Sequence, residues 1–365
     1  MDLIIRKKCN VMISSVEFKQ IEIAMKKPFV IATGSTSVYE GYLIRVKTDD
    51  DYEGVGEAVP TPHITGDTMG SIQDELRIFA KELVGMEISP ERINEKMILS
   101  ARGSKASRAG IDMAIWDIVG KRANLPLHSI LGGYRTDFET SYTVDLVEPE
   151  LAAKEAQDLL KEGVTIFKIK LGSGIDKDYS RVETVRRIVG EDKQIYVDFN
   201  QSYTAKKAIS LSEKIAKFNI EFLEQPVPAK DITSLKFVRD RSSIPVMADE
   251  AVMSPQDAAA VIYHEAADLI NVKLMKSGGI TDALTILKTS QAFGIPTMIG
   301  CMVETRLANT AGLQLALSQP SVKYTDLDGF SSLKDDIVTG GIVFKNGRNS
   351  LIDGPGLGVK INKGY

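Results

Sequence analysis

The chain has 365 residues, 43% of them hydrophobic and 26% charged, and a formal net charge of −4. Those proportions are those of a folded globular protein rather than a disordered one, and the interspersed signs leave no basic stripe for a nucleic-acid backbone, so a small partner is expected. The length exceeds what one ordinary core needs, so a barrel-sized domain with an appendage, or two domains, is expected.

The opening MDLIIRKK lacks the apolar region and cleavage site of a signal peptide, and no apolar run reaches about 18 residues, so the sequence predicts a cytoplasmic protein with no membrane partner. Cys9 and Cys301 stand far apart and outside any CxxC pair, which argues against a disulfide framework or a thiolate metal site. His63, His128 and His264 are scattered without ligand spacing, so imidazole chemistry is not expected. The alternating runs VEFKQIEIAM and EGYLIRVKTDD predict antiparallel strands, and GSIQDELRIFAKELVG and SKASRAGIDMAIWDIVGKRAN predict helices. Residues 1–137 therefore form an expected α+β domain.

A different rhythm begins near residue 140. The runs SYTVD (141 to 145), IFKIK (166 to 170), IYVDFN (195 to 200), EFLEQP (221 to 226), PVMADE (245 to 250), DLINVK (268 to 273), PTMIG (296 to 300) and YTDLD (324 to 328) alternate with amphipathic segments such as LAAKEAQDLLKEG. Eight βα units of roughly 25 residues predict a (β/α)8 barrel over residues 138–340, and the absence of a glycine fingerprint favours closure over an open doubly wound sheet. The tail, 341–365, reads as strand and turn again and is expected to return to the first domain, so that both ends of the chain cap one mouth of the barrel.

Ionisable residues gather where these runs stop, and the C-terminal ends of barrel strands are where sites are built. Lys168 pairs with Lys170, Asp198 with Asn200 and Asp326 with Asp328, each at an i, i+2 offset that puts both on one face of a strand. Asp198, Glu224 and Asp249, on three successive strands, would converge and repel. One such carboxylate is ordinarily a helix cap or a loop ion pair, whereas three in sequence suit a hard divalent cation, Mg2+ or Mn2+ rather than zinc. Lys168 and Lys170 flank this centre on one side and Lys273 on the other. Cationic neighbours are expected to lower the pKa of Lys170 and make it a base, and two lysines on opposite faces could remove and return a proton, which is racemisation or epimerisation. A Schiff-base aldolase would not need the three carboxylates.

KIK (168 to 170), DFN (198 to 200), EQP (224 to 226), ADE (248 to 250) and NVKLMKSGG (271 to 279) resemble the signature of the enolase superfamily, muconate-lactonising subgroup. GVGEAVP, HITGDT and the helix through Trp116 to LGG are similar to the capping domain of that group, and TDLDGF resembles the dipeptide epimerases. The resemblance implies Mg2+ on Asp198, Glu224 and Asp249. It implies Lys170 and Lys273 as the two acid/base groups, with Lys168 tuning Lys170 or touching the substrate carboxylate. It also implies Asp326 and Asp328 on the α-ammonium group of an L,L-dipeptide, epimerised at its C-terminal Cα through a metal-stabilised enediolate. PFVIATGSTSVY (28 to 39) carries no charge where Ala-Glu epimerases often hold an arginine, and Cys301, Met302 and Val303 offer an apolar wall, so L-Ala-L-Xaa with a broad or apolar second residue is expected. The same lysines and metal would serve an o-succinylbenzoate synthase, a cycloisomerase or an N-succinylamino-acid racemase, whose substrates offer no ammonium group. A non-catalytic binding protein would not need the two lysines. Barrels of this group are often homo-oligomers, although no stretch of this sequence marks an interface.

Overall fold

A computed structural model describes residues 10–32, 34–352 and 354–365; Cys9 and MDLIIRKK lie outside the described residues. Each of the eight predicted runs contributes a strand. Ser141–Val144, Ile166–Lys170, Gln194–Asp198, Ile220–Glu224, Val246–Ala248, Leu269–Lys273, Thr297–Gly300 and Val322–Asp326 are the first to eighth barrel strands, in sequential order within one parallel sheet. The eighth returns to the first through Ser141 Oγ, which donates to Thr325 O at 3.3 Å, and Thr143 N, which donates to Asp328 Oδ2 at 2.8 Å.

Side-chain parity explains both the barrel's interior and its site. Ile166, Tyr196, Phe222, Met247, Leu269 and Met298 pack inside as a separate apolar plug, with Tyr324 against it. Two residues further along each strand, on the same face, come Lys168, Asp198, Glu224, Asp249, Asn271 and Asp326, all buried. The alternate residues, such as Phe167, Ile169, Val197, Leu223, Ile270 and Ile299, face outward and join the main core beneath the helices. A dry plug thus supports a charged layer at the strand ends.

The cap begins with a long hairpin, Ile13–Ile31 paired with Gly34–Thr48, to which Glu53–Ala58 adds a third antiparallel strand. Gly54 and Gly56 of GVGEAVP lie directly on the helix Lys105–Ala123. A Cβ on either would stand 1.9 Å from a helix carbonyl oxygen, that of Ala114 or Gly110, so only glycine permits this approach. The helix Met69–Leu83 matches its prediction, whereas Pro90–Ser100 was not predicted. Its only buried residues are Ile93, Asn94 and Met97, too few to print an apolar period.

The tail folds as hairpins: Ile342–Lys345 pairs with Arg348–Leu351, which pairs in turn with Asp137–Glu139. Leu357 N donates to Asp117 Oδ1 of the cap helix at 2.8 Å, and Arg45 Nη2 donates to Tyr365 O at 3.1 Å. Among the described residues no helix is long and apolar enough to cross a membrane.

Candidate active site

The cap hairpin lies over the barrel mouth. Between Ala24↔Val38 and Phe29↔Thr36 the pairing slips, and residues 25–28 bulge from the ladder. Met25 then bridges to Leu333, Lys26 Nζ donates to Ser331 O at 2.7 Å, and Leu146 N donates to Val30 O at 3.1 Å, which fixes the hairpin to the loops after the eighth and first barrel strands. Beneath it is a cavity of about 980 Å³ whose lining includes Lys168, Lys170, Asn200, Lys273, Asp326 and Asp328. Phe29 of the hairpin covers Lys170, its ring centre 5.9 Å from Nζ.

Under the cavity the charges interlock. Lys168 Nζ lies 3.0 Å from Asp198 Oδ2, 2.9 Å from Glu224 Oε2 and 2.9 Å from Asp326 Oδ2. Lys170 Nζ shares Asp198 Oδ2 at 2.7 Å and reaches Asn200 Oδ1 at 3.1 Å. Lys273 Nζ is 2.8 Å from Asp249 Oδ2, while Lys276 Nζ holds Asp249 Oδ1 at 3.0 Å. Lys168 and Lys273 both stay charged. Burial opposes their charge, but Asp198 and Asp326 push Lys168 well up and Asp249 pushes Lys273 up. The carboxyls diverge: burial would raise Asp198, yet Lys168 and Lys170 pull it to about 2, whereas burial and Asp198 lift Glu224 to about 8.

Asp326 and Asp328 both face the cavity, but not as two residues of one strand. The eighth strand ends at Asp326, and Asp328 (φ −109°, ψ −8°) opens the turn Gly329–Ser332. Asp326 Oδ1 accepts from Ser141 Oγ at 3.0 Å and Oδ2 from Lys168, so Asp326 has a protein cation beside it without any substrate ammonium. Burial and Asp326 raise half-buried Asp328 to about 6. Asn200 likewise lies past its strand, in the left-handed region at φ +41°, with Gln201 at +67° and Gln225 at +35°. This cluster of unfavourable backbone sits at the third and fourth strand ends.

Cys301, Met302 and Val303 line the cavity as an apolar wall, and burial pushes the Cys301 thiol up, keeping it protonated. Glu304 turns back to accept from Met302 N at 2.8 Å, and Arg306 lies over the Phe330 ring at 4.7 Å. Residues 28–39 carry no charge, but Lys26 and Lys27, just before them, line the same cavity. Three buried residues escaped the sequence reasoning. Asn271 Nδ2 fixes Glu224 Oε1 at 2.8 Å, Gln225 Oε1 accepts from Asp249 N at 2.9 Å, and Lys276 also binds the carbonyls of Val252 and Asn271. Asn271 carried a signal, since it sits two residues before Lys273 on the same strand face.

Among the described residues no three Asp, Glu, His or Cys side chains stand ready as a metal cage, because ammonium groups occupy the spaces between carboxylates. The donor set nevertheless fits a hard cation. Glu224 Oε2, both Asp249 oxygens, Glu250 Oε2 and Asn271 Oδ1 are buried without a directed hydrogen bond, and all are oxygen donors of the kind Mg2+ takes.

Residues 15–132 match the family model described as the mandelate racemase / muconate lactonizing enzyme N-terminal domain, and residues 151–365 match the enolase C-terminal domain-like model. The chain belongs to the enolase superfamily. An L-Ala-D/L-Glu epimerase from Clostridium acetobutylicum is 36% identical over 95% of this chain and 98% of that protein. A dipeptide epimerase from Enterococcus faecalis, crystallised with Mg and the dipeptide L-Leu-L-Tyr, superposes with a TM-score of 0.94 at 35% identity, covering 96% of this chain and 99% of that one. An N-succinyl-L-Arg/Lys racemase from Bacillus cereus is 32% identical over 96% of both chains. Within the superfamily this chain is an isomerase.

Proposed function

We propose that the chain epimerises dipeptides at the Cα of the C-terminal residue, converting L-Ala-L-Xaa to L-Ala-D-Xaa with Mg2+. The observation that carries this reading is the placement of Lys170 and Lys273 on one cavity from the second and sixth strands, diametrically opposed in an eight-stranded barrel. A Cα held between them presents one face to each lysine. One lysine takes the Cα proton and the other delivers a proton to the opposite face, so the product differs from the substrate only in configuration. Asp326 and Asp328 stand across the barrel from Glu224, so a dipeptide spans the mouth with its ammonium end at the eighth strand and its carboxylate end toward the fourth. Asp198, Glu224 and Asp249 would hold Mg2+, which supplies Lewis-acid stabilisation of the negative charge that deprotonation creates. Lys168, between both ends, adds a fixed positive charge.

The test is incubation with pooled L-Ala-L-Xaa dipeptides and Mg2+ in D2O, reading deuterium by mass spectrometry against an EDTA control. Metal-dependent gain of one deuteron in particular dipeptides is expected. Lys170→Ala and Lys273→Ala should each abolish epimerisation, one of them keeping exchange from a single face; full turnover in both removes the two-base assignment. A second reading, racemisation of an N-succinylamino acid, has support from the Asp326–Lys168 pair, which leaves Asp326 in no need of a substrate cation. Exchange into N-succinylamino acids with none into dipeptides would select it.

A further inference from the structure

The cavity extends beyond the space a small dipeptide backbone needs. An arm runs from Asp328 past the mouth of the first strand, between the hairpin bulge and the helix Pro149–Lys161, along Lys27, Tyr142, Asp145, Val147, Glu155 and Leu159. Asp145 is 3% exposed, and its Oδ2 lies 2.9 Å from Lys27 Nζ. Glu155 Oε1 takes the same ammonium group, and Glu155 Oε2 accepts from Asp145 N at 3.0 Å. Two barrel carboxylates therefore share one lysine that the cap provides. Of the neighbouring charges, Lys26 donates to Ser331 O and Asp158 Oδ1 pairs with Lys161 at 2.8 Å, while Lys154 and Glu162 also line the cavity.

The acid pair lies at a definite distance from the amino end of the site. Thr143 N holds Asp328 Oδ2, and Asp145 follows two residues later toward the mouth, roughly 7 Å further at about 3.3 Å per residue. That is a span a four-carbon lysine stem can bridge. We propose that Asp145 and Glu155 form the subsite for the side chain of the dipeptide's first residue, with Lys27 as its built-in counter-ion. Lys27 fills the position that a cationic substrate side chain would take, so the site admits small uncharged first residues and excludes Lys and Arg. This rests on the dipeptide reading above. Without Lys27 the buried Asp145 is left unpaired, a costly state that a substrate cation relieves.

The experiment compares the Mg2+-loaded protein with Lys27→Met and with Asp145→Asn, using deuterium exchange into L-Ala-L-Ala, L-Lys-L-Ala and L-Glu-L-Ala. Lys27→Met should raise the kcat/KM ratio of the Lys-first to the Ala-first dipeptide at least tenfold, mainly through KM, and adding Asp145→Asn should reverse the gain. Asp145→Asn alone, which removes one of the two negative charges around Lys27 and leaves Glu155 as its single acidic partner, should raise relative exchange into the Glu-first dipeptide and stands independently if Lys27→Met fails to fold. Unchanged ratios overturn the subsite while leaving the epimerase reading in place. No exchange into any dipeptide by the unaltered protein removes that reading and the subsite with it.

Discussion

Gly300 ends the seventh barrel strand, and a methyl group on it would stand 2.7 Å from Asn271 Oδ1 and 3.1 Å from Lys273 Cε. The missing side chain is therefore the space through which Lys273 reaches the cavity. Gly300→Ala should displace Lys273 and, with Lys273 in the acid/base role proposed above, lower kcat about 100-fold, the order expected for a shift of about 1 Å. Overpacking should cost no more than about 1–3 kcal/mol of stability. Steady-state kinetics beside a urea titration separates the two effects, and a variant with full kcat would show that Lys273 does not depend on this gap. The residues whose partners are side chains on neighbouring strands, Asp198, Glu224, Asp249 and the lysines, were legible because strand parity and residue type together mark them. Lys276 and Gln225 were less so, since both work largely through backbone atoms, Lys276 on three carbonyls besides Asp249 Oδ1 and Gln225 on amides, which leave no pattern of residue types.

Between elements, the cap is joined to the barrel by buried carboxylates set at helix N-termini. Glu57 of the third cap strand accepts from Thr305 N at 2.8 Å and Ala308 N at 3.1 Å, at the start of the helix Arg306–Ser318. Asp112 of the cap helix accepts from Thr281 N at 3.0 Å and Thr281 Oγ1 at 2.6 Å, at the start of the helix Ile280–Ala292. The strands and helices were legible as periodicities, but these joints were not, because they connect residues more than a hundred positions apart and sequence spacing carries no trace of them. Burial lifts Asp112 to about 7 even though Thr281 and Ile280 pull it down. A carboxyl raised in the folded state contributes stability below its unfolded value, near 4, and loses it as pH rises through about 7. Asp112 should therefore lower stability between about pH 4 and pH 7, by at most about 1.4 kcal/mol per pH unit. Asp112→Asn, which cannot ionise, should flatten that part of the profile. Urea midpoints measured against pH for both proteins check this, and parallel profiles would remove Asp112 from the account.

The barrel as a whole is organised around a charge excess at one end. Asp198, Glu224, Asp249, Glu250, Asp326 and Asp328 meet only Lys168, Lys170, Lys273 and Lys276 in the layer above the apolar plug, so six acidic groups face four basic ones. With every group ionised, Glu224 included, the difference is two charges, which a divalent cation would balance, and five of the layer's oxygens lack a directed hydrogen bond. The carboxylates converge only when the third, fourth, fifth and eighth strands are all in place, so an ion held there binds the folded chain and not the unfolded one. Binding of that kind stabilises by about 2.7 kcal/mol when free ion is at 100 times its dissociation constant. Urea unfolding in Mg2+ should accordingly have a higher midpoint than in EDTA, and Asp249→Asn should lose most of that difference. The readout needs no substrate, so it separates the metal from the choice between dipeptides and N-succinylamino acids. Equal midpoints in Mg2+ and EDTA for the unaltered protein would mean that the four lysines, with proton uptake by the carboxyls, already balance the layer, Lys168 serving Glu224 and Lys273 with Lys276 serving Asp249.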